Sequence, residues 1–181
     1  MEGKRVNESS VVTSLLINPQ DANLSGFVHG GVIMYMIDNT AGAVALRHAR
    51  CNVVTASIDR LEFHDPVMIG DLVTLQASVN YVGRTSLEVG VRVEAENLVS
   101  GKRRHTSSAY LTFVAIDAEG NPMALPPLIQ ETPEDLRRYR EAGERRKNRM
   151  AEKRKEKQGQ DLATKVESDS IPPVEQGGRL A

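Results

Sequence analysis

Residues 29–47, HGGVIMYMIDNTAGAVALR, decide the fold. Two glycines open a run in which Val32, Ile33, Met34, Ile37, Val44 and Leu46 fall on every side of a helical wheel. A helix with so little polar face belongs in an interior, wrapped by other elements rather than docked along one side. The expectation is a buried helix from Val32 to Arg47 enclosed by sheet. Upstream, Ser10–Ile17 reads as a strand stopped by Asn18-Pro19, with Gln20–Gly26 as a loop. Downstream the texture turns to β. Val53–Phe63 is one strand. Val73 to Tyr81 and Leu87 to Ala95 alternate apolar with polar residues, and Lys102–Asp117 closes the set. One strand, one buried helix and at least four antiparallel strands fit a curled sheet around a single helix, an α+β class.

Thr132-Pro133-Glu134-Asp135 then starts a second helix, with Thr as N-cap, Pro at the first helical position and acids in the first turn. The expected organisation is a domain over residues 8–131, a charged C-terminal helix over 132–158 and a disordered tail over 159–181. Net charge is -1, which hides a division. Residues 1–132 hold 10 Lys/Arg against 14 Asp/Glu, whereas 133–157 hold 11 against 6. Mixed acids make that helix read as solvated and laced with ion pairs, not as a nucleic-acid contact. The single cysteine, Cys51, cannot form an internal disulfide, and no apolar run approaches a membrane span or a secretory leader. The expectation is a cytoplasmic protein.

Asp38 is the sharpest chemical anomaly. A carboxylate within the most apolar helix is costly unless paired, and desolvation would tune it toward general-base work. The alternative is an Asp on a wet stripe shared with Asn39 and Arg47. At the helix start, Gly30 and Gly31 present unpaired N–H groups carrying part of the helix dipole, a candidate oxyanion hole. A plain loop-to-helix turn explains the same glycines. Asn23, in the preceding loop, could hydrogen-bond a water or a carbonyl. Arg84, Thr85 and Ser86, and Lys102, Arg103 and Arg104, are two polar clusters at strand ends where an anionic ligand could be met. His29, His48, His64 and His105 show no metal-ligand spacing, and no Gly-x-Ser-x-Gly elbow supports a Ser-His-Asp triad.

Four separated stretches carry a family resemblance: Asn23–Ala45 (NLSGFVHGGVIMYMIDNTAGAVA), Asp59–Asp71 (DRLEFHDPVMIGD), Tyr81–Val89 (YVGRTSLEV) and Ala109–Pro127 (AYLTFVAIDAEGNPMALPP). In that order, across roughly residues 8 to 145, they resemble the hotdog-fold acyl-CoA thioesterases of the cytosolic acyl-CoA hydrolase family. The resemblance implies the hotdog fold and hydrolysis of fatty acyl-CoA to free acid and coenzyme A. It assigns Asn23 and Asp38 as a catalytic pair contributed by two different subunits, with Gly30 and Gly31 as oxyanion donors. It matches Arg84 and Lys102 to Arg104 to the basic residues that meet coenzyme A phosphates; Thr85 and Ser86 beside Arg84, and His29, which stands where many relatives carry an aromatic residue, are further candidate substrate contacts. It further implies a homo-oligomer, at least a dimer and commonly a hexamer built as a trimer of dimers. No cofactor is expected, coenzyme A being part of the substrate. Two rival readings are a non-catalytic acyl-CoA sensor and a hydratase or dehydratase, the latter wanting a His such as His29 beside a carboxylate. The acyl tunnel would be built from Met34, Ile37, Leu61, Phe63 and partners across an interface.

Overall fold

The computed structural model describes the backbone of residues 1–170. The chain divides into two compact units, Met1–Gly143 and a second that begins at Glu144. In the first unit, β2 (Val11–Leu16), α2 (Gly30–Ala49), β3 (Asn52–Phe63), β4 (Asp71–Val82), β5 (Ser86–Asn97) and β6 (Lys102–Ile116) make the body. The strands form one antiparallel sheet in the order β2-β4-β5-β6-β3, with α2 packed on one face. The short elements β1 (Lys4–Arg5), α1 (Val6–Ser9) and β7 (Leu128–Ile129) complete it. Lys4 and Arg5 pair in parallel with Leu128 and Ile129, a two-residue ladder too short for the sequence pattern to announce.

Alternation of side chains along the central strands builds the core. Leu75 and Val79 of β4, Val89 and Val93 of β5, and Leu111 and Phe113 of β6 all point to the helix face and are buried. Against them α2 lays Ile33, Ile37, Ala41, Val44 and Ala45, with Thr40 and His48 on the same line. This is a one-sided stripe at helical spacing. The expectation of a helix wrapped all round is therefore corrected: Met34 (42%), Tyr35 (69%) and Leu46 (48%) stay exposed on the far side. The apolar wheel is real, but a single chain covers only half of it. The helix closes on Arg50 in the left-handed region (φ 57°), whose N–H donates to the Leu46 carbonyl at 2.9 Å. Lys4 adds a cation to the same end, donating to the His48 carbonyl at 2.6 Å, where the helix dipole is negative.

β3 is an edge strand, and its ladder with β6 is broken by irregularities between Thr55 and Ser57 and between Ile58 and Arg60. On the opposite face of the sheet, Gly90 leaves room for Asn80: a Cβ there would lie 2.5 Å from the Asn80 amide nitrogen. That amide donates to buried Glu88 at 3.2 Å.

The last helix, α3, runs Pro133–Ser170, past the expected end at Gln158 and into residues expected to be disordered. Gly159 alone costs about 1 kcal/mol in a helix, and the first prolines after Pro133 come only at Pro172-Pro173, so nothing before them stops the helix. The rest of the expected tail, 171–181, lies outside the described residues. No described helix is long and apolar enough to cross a membrane.

Buried His48 makes stability depend on pH. Its Nε2 lies 2.9 Å from the Pro126 carbonyl, and its Nδ1 has no hydrogen-bond partner among the described residues. Burial, the largest influence, holds its pKa below the ordinary 6.5. At acid pH the unfolded chain then binds a proton that the folded chain refuses. Stability is complete above 6.5 and declines as pH falls below it. Urea titrations should show a midpoint that drops on acidification, with a slope of at most about 1.4 kcal/mol per pH unit from this group. His48→Gln should remove that part of the slope.

Candidate active site

The N-terminus of α2 is held by a loop with dense backbone bonding. The His29 N–H donates to the Asp21 carbonyl and the Val28 N–H to the Val67 carbonyl, both at 2.9 Å. His29 is the N-cap residue, so the N–H groups of Gly30 and Gly31 belong to the first turn and have no carbonyl four residues earlier within the helix. Both glycines are exposed. A Cβ on Gly30 would touch the Phe63 ring at 3.5 Å, while one on Gly31 would meet nothing within 4 Å. Gly30 thus fits a close neighbour, and Gly31 opens onto free space.

Beside this turn lies a cleft of about 330 Å³ lined by Phe27, Val28, Gly30, Ile33, Phe63 and His64 among others. Its lining is chiefly apolar, and its size is at the lower end of small-molecule sites. Of the expected tunnel residues, Phe63 belongs to the cleft. Ile37 is instead buried in the core between helix and sheet.

Asn23 ties its own loop. Its backbone N–H donates to the Phe27 carbonyl at 2.6 Å, and its side-chain oxygen accepts from the Ser25 and Phe27 N–H groups at 2.8 and 3.2 Å. Because those partners are donors, the oxygen must face them, and the amide NH₂ is what Asn23 offers outward. Asn23 can therefore donate to a carbonyl or a water and cannot serve as a base.

Asp38 is half-buried, not buried as its apolar neighbours suggested. One carboxylate oxygen accepts from the Thr55 hydroxyl of β3 at 2.9 Å. Thr55 escaped the sequence reading, since a Thr within the β run Val53 to Ile58 carries no signal of its own. Eight residues of helix separate Gly30 from Asp38, roughly 12 Å of axial rise. Reacting groups must approach within about 3–3.5 Å, so one chain cannot place both on a single carbonyl.

The two basic clusters are also apart. Arg84, Thr85 and Ser86 form the turn from β4 to β5, with the Ser86 carbonyl accepting from Gly83 at 2.8 Å and the Thr85 carbonyl from Ala115 at 3.0 Å. Lys102, Arg103 and Arg104 begin β6 at the far end of β5, about 36 Å away along the strand. The first cluster lies toward Thr55 and Asp38, the second toward Phe63 and the cleft, as the strand register requires. Arg104 is moreover committed to the fold. It pairs with Asp71 at 2.6 Å (18% and 1% exposed) and donates to the Pro66 carbonyl at 3.2 Å, bracing the cleft wall. A substrate contact by Arg104 would have to form beside that pairing. Arg103 pairs with Glu96 at 2.8 Å on the surface. Among the described residues, no group of three or more His, Cys, Asp or Glu could hold a metal.

A family model described as the thioesterase superfamily matches residues 25–102. The cytosolic acyl coenzyme A thioester hydrolase of Mus musculus is 39% identical over 146 residues, 80% of this chain. The chain spans only 37% of that protein's length. An uncharacterized acyl-CoA thioester hydrolase of Bacillus subtilis is 37% identical over 84% of this chain and 89% of its own. Among solved structures, an acyl-CoA hydrolase of Staphylococcus aureus in complex with butyryl coenzyme A, coenzyme A and coenzyme A disulfide superposes with a TM-score of 0.81. It is 34% identical over 89% of this chain and 98% of that one. That hydrolase has also been solved with an aspartate, an asparagine or a threonine replaced by alanine.

The contrast between the two arginines is measurable. Arg104→Ala should lower the unfolding free energy by about 3 kcal/mol, because it strands the buried Asp71 carboxylate. Arg103→Ala should change it by less than about 1 kcal/mol. Urea denaturation of the two variants checks this, and equal losses would return Arg104 to the surface contacts.

Proposed function

The chain belongs to the thioesterase superfamily, and on that premise we propose that it hydrolyses fatty acyl-CoA to a free acid and coenzyme A at a site completed by two copies. The observation that carries the reading is the Thr55–Asp38 hydrogen bond set roughly 12 Å along α2 from the N–H groups of Gly30 and Gly31. Each chain thus holds half of what thioester hydrolysis requires. Donors for the carbonyl oxygen come from one copy: Gly30 N–H, Gly31 N–H and the Asn23 amide. Another copy supplies Asp38, aimed by Thr55.

Water attacks the carbonyl carbon while Asp38 takes its proton, and the donors meet the negative charge that develops on oxygen. The carbon–sulfur bond then breaks. The thiolate leaves without an acid to protonate it and takes up a proton afterwards, from Asp38 or solvent. Direct attack by Asp38, through an anhydride that water later opens, uses the same residues. Two features of the single chain support pairing: the twelve-residue edge strand β3 and the exposed Met34, Tyr35 and Leu46 of α2. The spacing of residue types adds support. In the Staphylococcus aureus hydrolase the substituted Asn and Asp stand 15 apart and the Asp and Thr 17 apart, as Asn23, Asp38 and Thr55 do here. A solved acyl-CoA thioesterase with 38% identity to this chain is hexameric, and a homohexamer built from dimers is the assembly proposed for this chain. The proposed location is the cytoplasm.

Coenzyme contacts divide by copy. The copy that supplies Asp38 offers Arg84, Thr85 and Ser86, and the copy that supplies the donors offers His29, Lys102 and Arg103. With Arg104 held by Asp71, Lys102 and Arg103 are the more exposed cations at the cleft end.

Free-thiol release from acyl-CoAs of several chain lengths tests the proposal. Asp38→Ala should lower kcat by about 100- to 10,000-fold. Asn23→Ala should lower it by about 100- to 1,000-fold as the loss of one oxyanion donor. Thr55→Val should lower it by about 10- to 100-fold, since a hydrogen bond to a charged group contributes about 1.5–3 kcal/mol. Mixing inactive Asn23→Ala with inactive Asp38→Ala under subunit exchange should restore part of the activity, because some interfaces then carry both intact halves. No thiol release from any substrate would favour the sensor, and loss of enoyl absorbance without thiol would favour the hydratase.

A further inference from the structure

The second unit contains a segment of α3 that the chemistry of hydrolysis does not use. Residues 147–158, KNRMAEKRKEKQ, hold six Lys/Arg and two Glu, and from Met150 to Gln158 every side chain is exposed. The two acids are confined to one side of the helix, with Arg149 and Lys155 flanking them, and the other four cations share the opposite side. At about 100° per residue, Lys147, Lys153, Arg154 and Lys157 fall within a sector of roughly 120°. Glu152 and Glu156 stand one turn apart on the opposite side. At the centre of the cationic sector sits Met150, 43% exposed. Lys147 shares its charge with Glu144 at 2.7 Å, an i,i+3 pair at the edge of the sector.

Helices stabilised only by surface ion pairs alternate their charges around the wheel. Here the acids are withdrawn from one face, which also presents an unbranched apolar side chain. We propose that this face docks on an anionic lipid surface, with the cations on headgroup phosphates and carboxylates and Met150 entering the interface. A nucleic acid would be met by the same cations. However, residues 147–158 include no aromatic side chain to stack on bases, and an exposed Met finds nothing apolar on a phosphate backbone. The choice of lipid also agrees with the proposed substrate, an amphiphile whose acyl chain partitions into bilayers, and to that extent it rests on the proposed activity. The face is too polar to insert deeply, so binding is electrostatic, reversible and sensitive to salt.

The test is sedimentation of the full chain with phosphatidylcholine vesicles, with and without phosphatidylserine, in the absence of any thioester. Binding should require phosphatidylserine and disappear at about 1 M salt, where the screening length shrinks to about 3 Å. Each cation near an anionic surface contributes about fivefold, so Lys153→Gln with Lys157→Gln should weaken binding about 25-fold. Met150→Gln should weaken it further, while thiol release from a short, water-soluble acyl-CoA stays unchanged in all variants. Equal sedimentation with and without phosphatidylserine would overturn the proposal. So would a double variant that binds like wild type, tighter binding to duplex RNA than to vesicles, or a changed oligomeric state that assigns the face to a second copy. Because binding is read without turnover, failure here leaves the hydrolase reading untouched.

Discussion

A helix can cross a β-sheet closely only where its contact stripe is small and continuous, and α2 meets that condition with Ala41, Val44 and Ala45, which share one buried core with Leu75, Val89 and Leu111. Everything functional in the first unit hangs from this contact. It fixes the direction of α2 over the strands, which places the first turn against Phe63 at one end of β3 and Asp38 against Thr55 toward the other. With aromatics at only 4% of the chain, the core is built mostly from aliphatic side chains. A buried Leu or Ile truncated to Ala costs about 2–5 kcal/mol in such a core. Trimming the stripe would loosen α2 on the sheet and so disturb the approach of Gly30 to Phe63 and of Asp38 to Thr55.

The ion pair of Arg104 with Asp71 shows how a charged side chain can serve the site without meeting a ligand. Asp71 also accepts from the Met68 N–H at 2.9 Å, and Arg104 holds the Pro66 carbonyl, so the pair fastens the segment that walls the cleft. Pairing of this kind depends on a contact between residues 33 apart, which no local pattern encodes.

That distinction separates what could be read in the chain from what could not. Strand alternation from Val73 to Ala95, the apolar run from Val32 to Leu46 and the Thr132-Pro133 helix start are local signals; the first two led to elements near their true limits, and the third to the start of α3 but not to its end at Ser170. Gly30 and Gly31 were legible because helix starts have unpaired donors wherever they occur. Thr55 was not, because its role depends on a strand that returns to lie beside α2. Asp38 stood out as a carboxylate in a closed core, whereas its setting is a half-open helix face, closer to the alternative of a wet stripe. The even hydrophobicity of α2 was itself the signature of a surface that one chain leaves uncovered, and burial by the chain's own sheet was the nearest local explanation. The N-terminal ladder of Lys4 and Arg5 with Leu128 and Ile129 was invisible for the plainest reason, two residues being too few for any period.

The interruptions in β3 bear on how safely this chain can exist at high concentration. A twelve-residue edge with exposed Val54, Ile58 and Phe63 would otherwise be a template for unlimited strand addition. Its two irregularities leave regular stretches of Asn52–Thr55, Ser57–Ile58 and Arg60–Phe63, none longer than four residues. Segments that seed amyloid-like stacking run about five to seven residues in unbroken register. The kinked edge is therefore unsuited to the flat, repeating pairing of a fibril, and a newly made chain is protected from that fate at the concentrations of synthesis.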